Sequence, residues 1–435
     1  MYNGVGMNFK KKLLNNSNNI KPMHMPGHKR NKKYKALVDL GMDYDFTETS
    51  CLDDLHNPEG MILEEEKKAA KLYGAEKLIF GVNGSTGLIT TVIYALSKEH
   101  NNFMAFDNCH YSVYNSLKIA QKNIYLFSPK RNEDTAIALD IDYEDLKTEL
   151  SSKKIEVLIL TYPDYEGQVL NLETISDICH KLNVILVADQ AHGAHFGLSK
   201  YFPENAIKIG ADFVIQSLHK TLPSLTQTAV MMCNTDIFDK YKINDYIKFF
   251  ETSSPSFILI SSICECIDFM SKNADHELKN LSDNLTDFYK QSKKLNHLKI
   301  LDTQNRDKSK IVILTDKVNI TGYELKTRLL NEFNFELECA GPRYALAYST
   351  IADDKKVLDE LLSALFEIDK YLILNEKPKL HFKKRTGQKL ASTFEKTIYA
   401  YPPATPVIFK GGEEVTKEQR KLIKQLVSEG MKLNY

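Results

Sequence analysis

Hydrophobic residues gather into short unbroken runs from about residue 60 onward: KLIFGV (77–82), FMAFD (103–107), IYLFS (124–128), VLILTYP (157–163), VILVAD (184–189), DFVIQS (212–217) and AVMMC (229–233). The runs do not alternate apolar with polar and are rich in Val, Ile, Leu and Phe, the pattern of strands buried on both faces. Helical stretches lie between several of them. LETISDICHKLN (172–183) places Ile175, Ile178, Cys179 and Leu182 at helical spacing. Strand–helix alternation predicts an α/β fold with a largely parallel sheet and helices on both faces. After residue 250 the texture changes. Residues 256–300 read as amphipathic helix, and KIVILTD (310–316) and ALAYST (345–350) flank a further helical stretch, predicting a smaller α+β unit. A proline cluster, YPPATP (401–406), precedes a capped helix in EEVTKEQRKLIKQLV (413–427). At the other end, the Asn- and Lys-rich first 20 residues lack periodicity and predict a flexible arm or one surface helix. Pro22 and Pro26 exclude regular helix from KPMHMPGHKRNKK (21–33), because each removes a ladder hydrogen bond.

Length and composition narrow the class. At roughly 150 residues per domain, 435 residues predict about three domains. Lys+Arg and Asp+Glu are 57 each, so the net charge is zero, against a nucleic-acid-coating or membrane-surface protein. No apolar run reaches the ~18 residues of a membrane span, and the basic N-terminus has no apolar core of a secretory signal. Seven scattered cysteines, at 51, 109, 179, 233, 264, 266 and 339, read as free thiols of a reducing compartment. These features predict a cytoplasmic protein without a structural metal.

Chemistry-bearing residues cluster where predicted strands end. SLHKTLPSLTQTAV (217–230) puts Lys220 beside His219 after a strand, where open α/β sheets place ligands. A desolvated lysine there forms a Schiff base with an aldehyde, whereas a solvent-facing one does nothing. VADQAHGAHFG (187–197) ends a strand on Asp189 and follows it with His192 and His195. The HxxH spacing lacks a third metal ligand, while Asp189 could keep a pyridine ring protonated. GVNGSTGLITTVIYAL (81–96) sets Ser85 and Thr86 at a helix N-terminus, either as a phosphate cradle or as an N-cap. NCHYSVYNSL (108–117) supplies His110, able to stack on a planar ring or to pack structurally. A phosphate cradle, a stacking ring, a carboxylate and a lysine, at four strand ends in this order, match the needs of a pyridoxal phosphate (PLP) site.

These blocks, with MPGHK (25–29), LDDLHNPEG (52–60), NGSTG (83–87), CHYSVYN (109–115), TYPDYEG (161–167), DQAHGAHF (189–196), SLHKTLPSLTQ (217–227), TSSPSF (252–257) and YPPATP (401–406), resemble the PLP-dependent Orn/Lys/Arg decarboxylases, specifically short bacterial members without a wing domain. The resemblance runs from about residue 21 to 416. It implies a fold-type-I PLP-dependent transferase with a mostly parallel seven-stranded sheet. Its implied divisions are an arm (1–30), a PLP-binding large domain (31–300), a small α+β domain (301–372) and a C-terminal decarboxylase domain (373–435). It further implies that Lys220 anchors PLP, Asp189 bonds the pyridine nitrogen, and His110 stacks on the ring. Ser85, Thr86, Ser217 and His219 would bind the phosphate, and His192 would lie beside the cofactor. Sites shared across a homodimer or higher homo-oligomer, with Thr252 and the MPGHK arm contributing, are implied as well. The chain departs from the family's C-terminal pattern at Ala404 and at Gly411-Gly412-Glu413.

The implied reaction removes the carboxylate of a basic amino acid, lysine, arginine or ornithine, to give an amine and CO₂, and the resemblance implies a place in polyamine biosynthesis.

 Lys220 or His219 is the candidate donor of the proton that returns to Cα. Glu251, Asp164, Glu166 and Glu395 are candidate anionic partners for the substrate's cationic side chain. The competing readings are another reaction on the same fold, such as an aminotransferase with Arg343 clamping the substrate carboxylate, a lyase or an aldolase, and a non-catalytic PLP-binding protein.

Overall fold

The computed structural model describes residues 9–17, 20–380, 386–390, 398–400, 407–409, 417–431 and 433–434. YPPATP (401–406) with Ala404, Gly411-Gly412-Glu413 and Glu395 lie outside the described residues.

Each of the seven apolar runs is a strand: β1 (Lys77–Gly81), β2 (Asn102–Phe106), β3 (Asn123–Phe127), β4 (Val157–Thr161), β5 (Ile185–Asp189), β6 (Phe213–Ser217) and β7 (Ala229–Cys233). They lie in the order β1-β7-β6-β5-β4-β2-β3. β2 pairs in parallel with β3 and β4, β4 with β5, and β5 with β6. Only β7 runs against its neighbours β1 and β6 within this set. Its connection from β6, residues 218–228, is too short for a crossover, which takes a dozen residues or more, so the chain turns back on itself. Two reversals make β1 parallel to β6. The C-terminal ends of β1, β2, β4, β5 and β6 therefore share one edge of the sheet, where open α/β folds bind ligands.

The helix Phe257–Ser292 carries the chain away from this sheet, burying Ile260, Ile263, Ile267, Met270, Leu278, Leu281 and Leu285 along one stripe. A second, antiparallel sheet follows, built from β8 (Lys299–Ile300), β9 (Lys310–Leu314), β10 (Cys339–Gly341) and β11 (Tyr344–Tyr348), in the order β10-β11-β9-β8. Its helix Gly322–Phe333 starts on a capping box. Thr321 accepts from Glu324 N–H, and Glu324 reaches back to Thr321 N–H. A short strand, β12 (Lys389–Leu390), pairs antiparallel with β3 and becomes the eighth strand of the large sheet. β13 (Ile398–Ala400), β14 (Val407–Phe409) and β15 (Leu433–Asn434) form a third sheet, and the helix Lys417–Ser428 lies between the last two in sequence.

The N-terminal segment is a surface helix, Phe9–Ser17, anchored by buried Phe9 and Leu13. All seven cysteines are free thiols. Among the described residues no helix is long and apolar enough to cross a membrane.

Candidate active site

Five strand ends and the turns after them enclose a pocket lined by Ser85, His110, Thr161, Tyr165, Asp189, Ala191, His192 and Lys220. Lys220 stands in the one-turn helix Leu218–Thr221 that follows β6. Its Nζ lies 3.2 Å from His192 Nε2. Burial pushes the Lys220 ammonium below its ordinary range, opposed by the charges of Asp189 and Glu338. Asp189, the last residue of β5, is 2% exposed and accepts a hydrogen bond from Ala191 N–H at 3.1 Å. Burial raises its carboxyl pKa, and Lys220 holds the rise back.

His110 caps the helix Tyr111–Ile119, with Nδ1 accepting from Ser112 N–H at 3.2 Å and lying 2.8 Å from Ser112 Oγ. Burial, helped by the Lys220 charge, pulls its pKa down to about 4. A neutral ring at physiological pH follows. Its neighbour Tyr111 lies 4.2 Å away, centroid to centroid. Burial and the nearby Lys220 charge also keep the His192 ring neutral.

On the side of the pocket near β1, the chain turns through Gly84, at φ +69°, into the helix Gly84–Leu96. A positive φ there suits glycine, and the turn leaves first-turn N–H groups without intrahelical acceptors. Ser217 Oγ donates to Ser85 Oγ at 3.0 Å, joining the ends of β6 and β1 at this spot. Thr86 follows Ser85 in the same helical turn and is exposed. His219 does not line the pocket; its Nδ1–H donates to Thr228 C=O at 3.0 Å.

Several acids and one arginine take other places than the sequence suggests. Glu251 is buried and accepts from Val82 N–H (3.2 Å) and Asn83 N–H (3.0 Å), which pins the turn that carries Ser85. Asp164 accepts from Gln168 N–H at 2.7 Å, and Glu166 accepts from the Tyr344 hydroxyl at 2.6 Å. Arg343 is 1% exposed and forms a fork with Glu429, Nε to Oε2 at 3.0 Å and Nη2 to Oε1 at 2.9 Å. That pairing occupies the guanidinium away from Lys220, so it is no clamp for a substrate carboxylate in this arrangement. His195 turns away from the pocket, its Nε2 3.2 Å from Asp307. Thr161, Tyr165 and Ala191 join the site although sequence reasoning singled out none of them. The TYPDYEG and DQAHGAHF blocks that contain them are the available signal.

The pocket fits PLP. It holds an amine able to anchor an aldehyde, a buried carboxylate at a strand end with one hydrogen bond among the described residues, a neutral imidazole, and an N-terminal helix turn suited to phosphate. The sequence profile of a family described as "Orn/Lys/Arg decarboxylase, major domain" matches residues 9–333. A Bacillus subtilis protein, uncharacterised and designated YaaO, is 27% identical, with 94% of this chain and 92% of that protein covered. A Bacillus subtilis arginine decarboxylase is 25% identical over 91% of this chain and 88% of its own. Among solved structures, the Francisella novicida lysine decarboxylase LdcF superimposes with a TM-score of 0.78 at 17% identity, covering 98% of this chain and 78% of that one, a likeness of fold. With three quarters of its length matched by the family profile, the chain belongs to the PLP-dependent Orn/Lys/Arg decarboxylases.

Proposed function

We propose that the chain decarboxylates lysine, arginine or ornithine to the corresponding amine and CO₂, with Lys220 as its anchoring lysine. The observation that carries this reading is the meeting of Lys220, Asp189, His192 and His110 in one pocket at the sheet edge. PLP, when bound, supplies an electron sink for the charge left on Cα as CO₂ departs. The remaining work falls to this chain. Asp189 places a negative charge where it favours a protonated pyridine nitrogen. His110 offers a neutral ring face. Ser85, Thr86, Ser217 and His219, with the helix start at Gly84, would hold the phosphate. Burial raises the share of Lys220 present as free amine, the nucleophilic form, and places it to return a proton to Cα.

The pairing of Arg343 with Glu429 supports decarboxylation over transamination, because the arginine otherwise available for a substrate carboxylate is already engaged. The relative named arginine decarboxylase puts arginine first among substrates to try. We also propose the four-part division at residues 30, 300 and 372, a cytoplasmic location, a role in supplying polyamines, and a homodimer. Supplying arginine, lysine and ornithine in turn to the PLP-loaded protein, and measuring amine and CO₂, tests the reading. One of the three should yield both products. Conversion to a keto acid without CO₂ would refute it.

A further inference from the structure

One hydrogen-bond chain reaches the pocket from the second sheet. Tyr348, the last residue of β11, places its hydroxyl 3.1 Å from Tyr165 C=O and 2.8 Å from His192 Nδ1. A carbonyl oxygen only accepts, so the single phenolic proton belongs to the bond with Tyr165. The phenolic oxygen is then left as an acceptor, and His192 must bring the proton on Nδ1. A neutral imidazole has one N–H. The lone pair therefore sits on Nε2, the atom 3.2 Å from Lys220 Nζ.

The surroundings hold this arrangement. Lys310 Nζ lies 4.4 Å from the centroid of the Tyr348 ring, a cation–π contact. Lys310 is itself fixed by Asp307, 3.2 Å away, and both side chains are fully buried. The rings of Tyr165 and Tyr348 meet His192 edge-on at 4.7 and 5.8 Å. The charged and titratable groups facing His192 are Lys220, Lys310, His110 and Asp307, with the hydroxyl of Tyr348. The two lysine charges oppose a second proton on the ring, and the Asp307 charge favours one.

We propose that Tyr348 is a positioning residue that locks His192 in its Nδ1–H tautomer, making His192 Nε2 the acceptor for a proton of Lys220. The second sheet then sets the protonation geometry of a lysine at the edge of the first. The proposal rests on the assignment of Lys220 as the anchoring lysine, but its first test needs neither substrate nor turnover. Full-length chain freed of PLP and labelled with ¹⁵N-histidine is examined by two-bond N–H correlation spectra at neutral pH. The His192 signal is identified by its loss in His192→Gln. It should show a protonated Nδ1 and a bare Nε2. In Tyr348→Phe the population should shift at least tenfold toward Nε2–H. The pH midpoint for borohydride trapping of PLP on Lys220 should move lower, because an N–H then faces the amine. A wild-type His192 protonated on Nε2 would overturn the proposal whatever the variants do. So would a Tyr348→Phe protein with its tautomer and trapping midpoint unchanged. Labelling at a different lysine would instead bring down the assignment of Lys220 and leave the tautomer result standing.

Discussion

A fully buried lysine and a half-buried one lie on either side of the DQAHGAHF turn and face opposite fates. Lys310 is fully buried with Asp307 at 3.2 Å and Ser309 Oγ at 3.3 Å, and Asp307 also meets His195 Nε2 at 3.2 Å. Lys220 sits in a pocket against the lone-pair side of a neutral imidazole, with Asp189 across the cavity. The first lysine is a closed ion cluster that ties β9 to the loop after β5. The second is an amine held short of a full ion pair, which is what a nucleophile requires. His192 and His195 are three residues apart and serve one lysine environment each. Their spacing alone does not reveal this; their partners do.

The sharpest way to break the contrast is substitution at the acid. Asp307→Asn leaves Lys310 buried without its counter-ion and should cost about 3–5 kcal/mol of stability, read as a fall in the denaturant midpoint. Lys220→Met should cost far less, because it removes an amine that no tight ion pair holds. Equal losses in the two variants would erase the distinction. Activity should divide the other way. Lys220→Ala should lower amine production by about 10²–10⁴-fold or more if the lysine also moves the Cα proton, measured as product per minute with PLP in excess.

The pocket's neutral rings predict a pH signature. The His110 pKa falls from an ordinary 6.5 to about 4 in the fold. Between those values the unfolded chain binds the proton that the folded chain refuses. The contribution to stability is therefore present above pH 6.5 and is lost as pH falls from about 6.5 to about 4, up to about 3 kcal/mol. Unfolding midpoints taken across that window should show a steeper decline in wild type than in His110→Asn. Parallel slopes would mean that the ring is charged in the folded state. The carboxyl of Asp307 is held well below the usual range by Lys310 and His195, so its share of stability persists through the same window and fades only under stronger acid. The smallest expected effect is at the proposed phosphate end. Ser217→Ala removes the bond to Ser85 and should weaken PLP binding by about 1 kcal/mol, roughly fivefold in Kd, by absorbance titration.

Much of the large sheet was legible because buried parallel strands read as unbroken apolar runs, and all seven runs became strands. The residues at their ends were legible because chemistry-bearing side chains stand out against such runs: Ser85, His110, Asp189 and Lys220 all line the pocket. What the chain could not reveal was partnership over distance. Arg343 reads as a carboxylate clamp until Glu429, far along the sequence, is found bonded to it. Glu251 reads as a substrate acid until the backbone N–H groups of Val82 and Asn83 are found on it. Tyr348 carries no local signal, since a tyrosine ending a strand of the second sheet is ordinary, and its meaning comes from His192. The antiparallel course of β7 was legible in principle from the short loop 218–228, but the run itself says nothing of direction.

β12 has a consequence for how the chain can be shortened. Lys389 and Leu390 pair with Tyr125 and Ile124, and Gly387 and Gln388 exchange backbone bonds with Leu126, so the outer rim of β3 is covered by chain from the far terminus. Trimming before residue 387 would bare that rim, leaving amides ready to recruit a strand from another molecule. A clipped version should clump on storage even where its pocket is untouched.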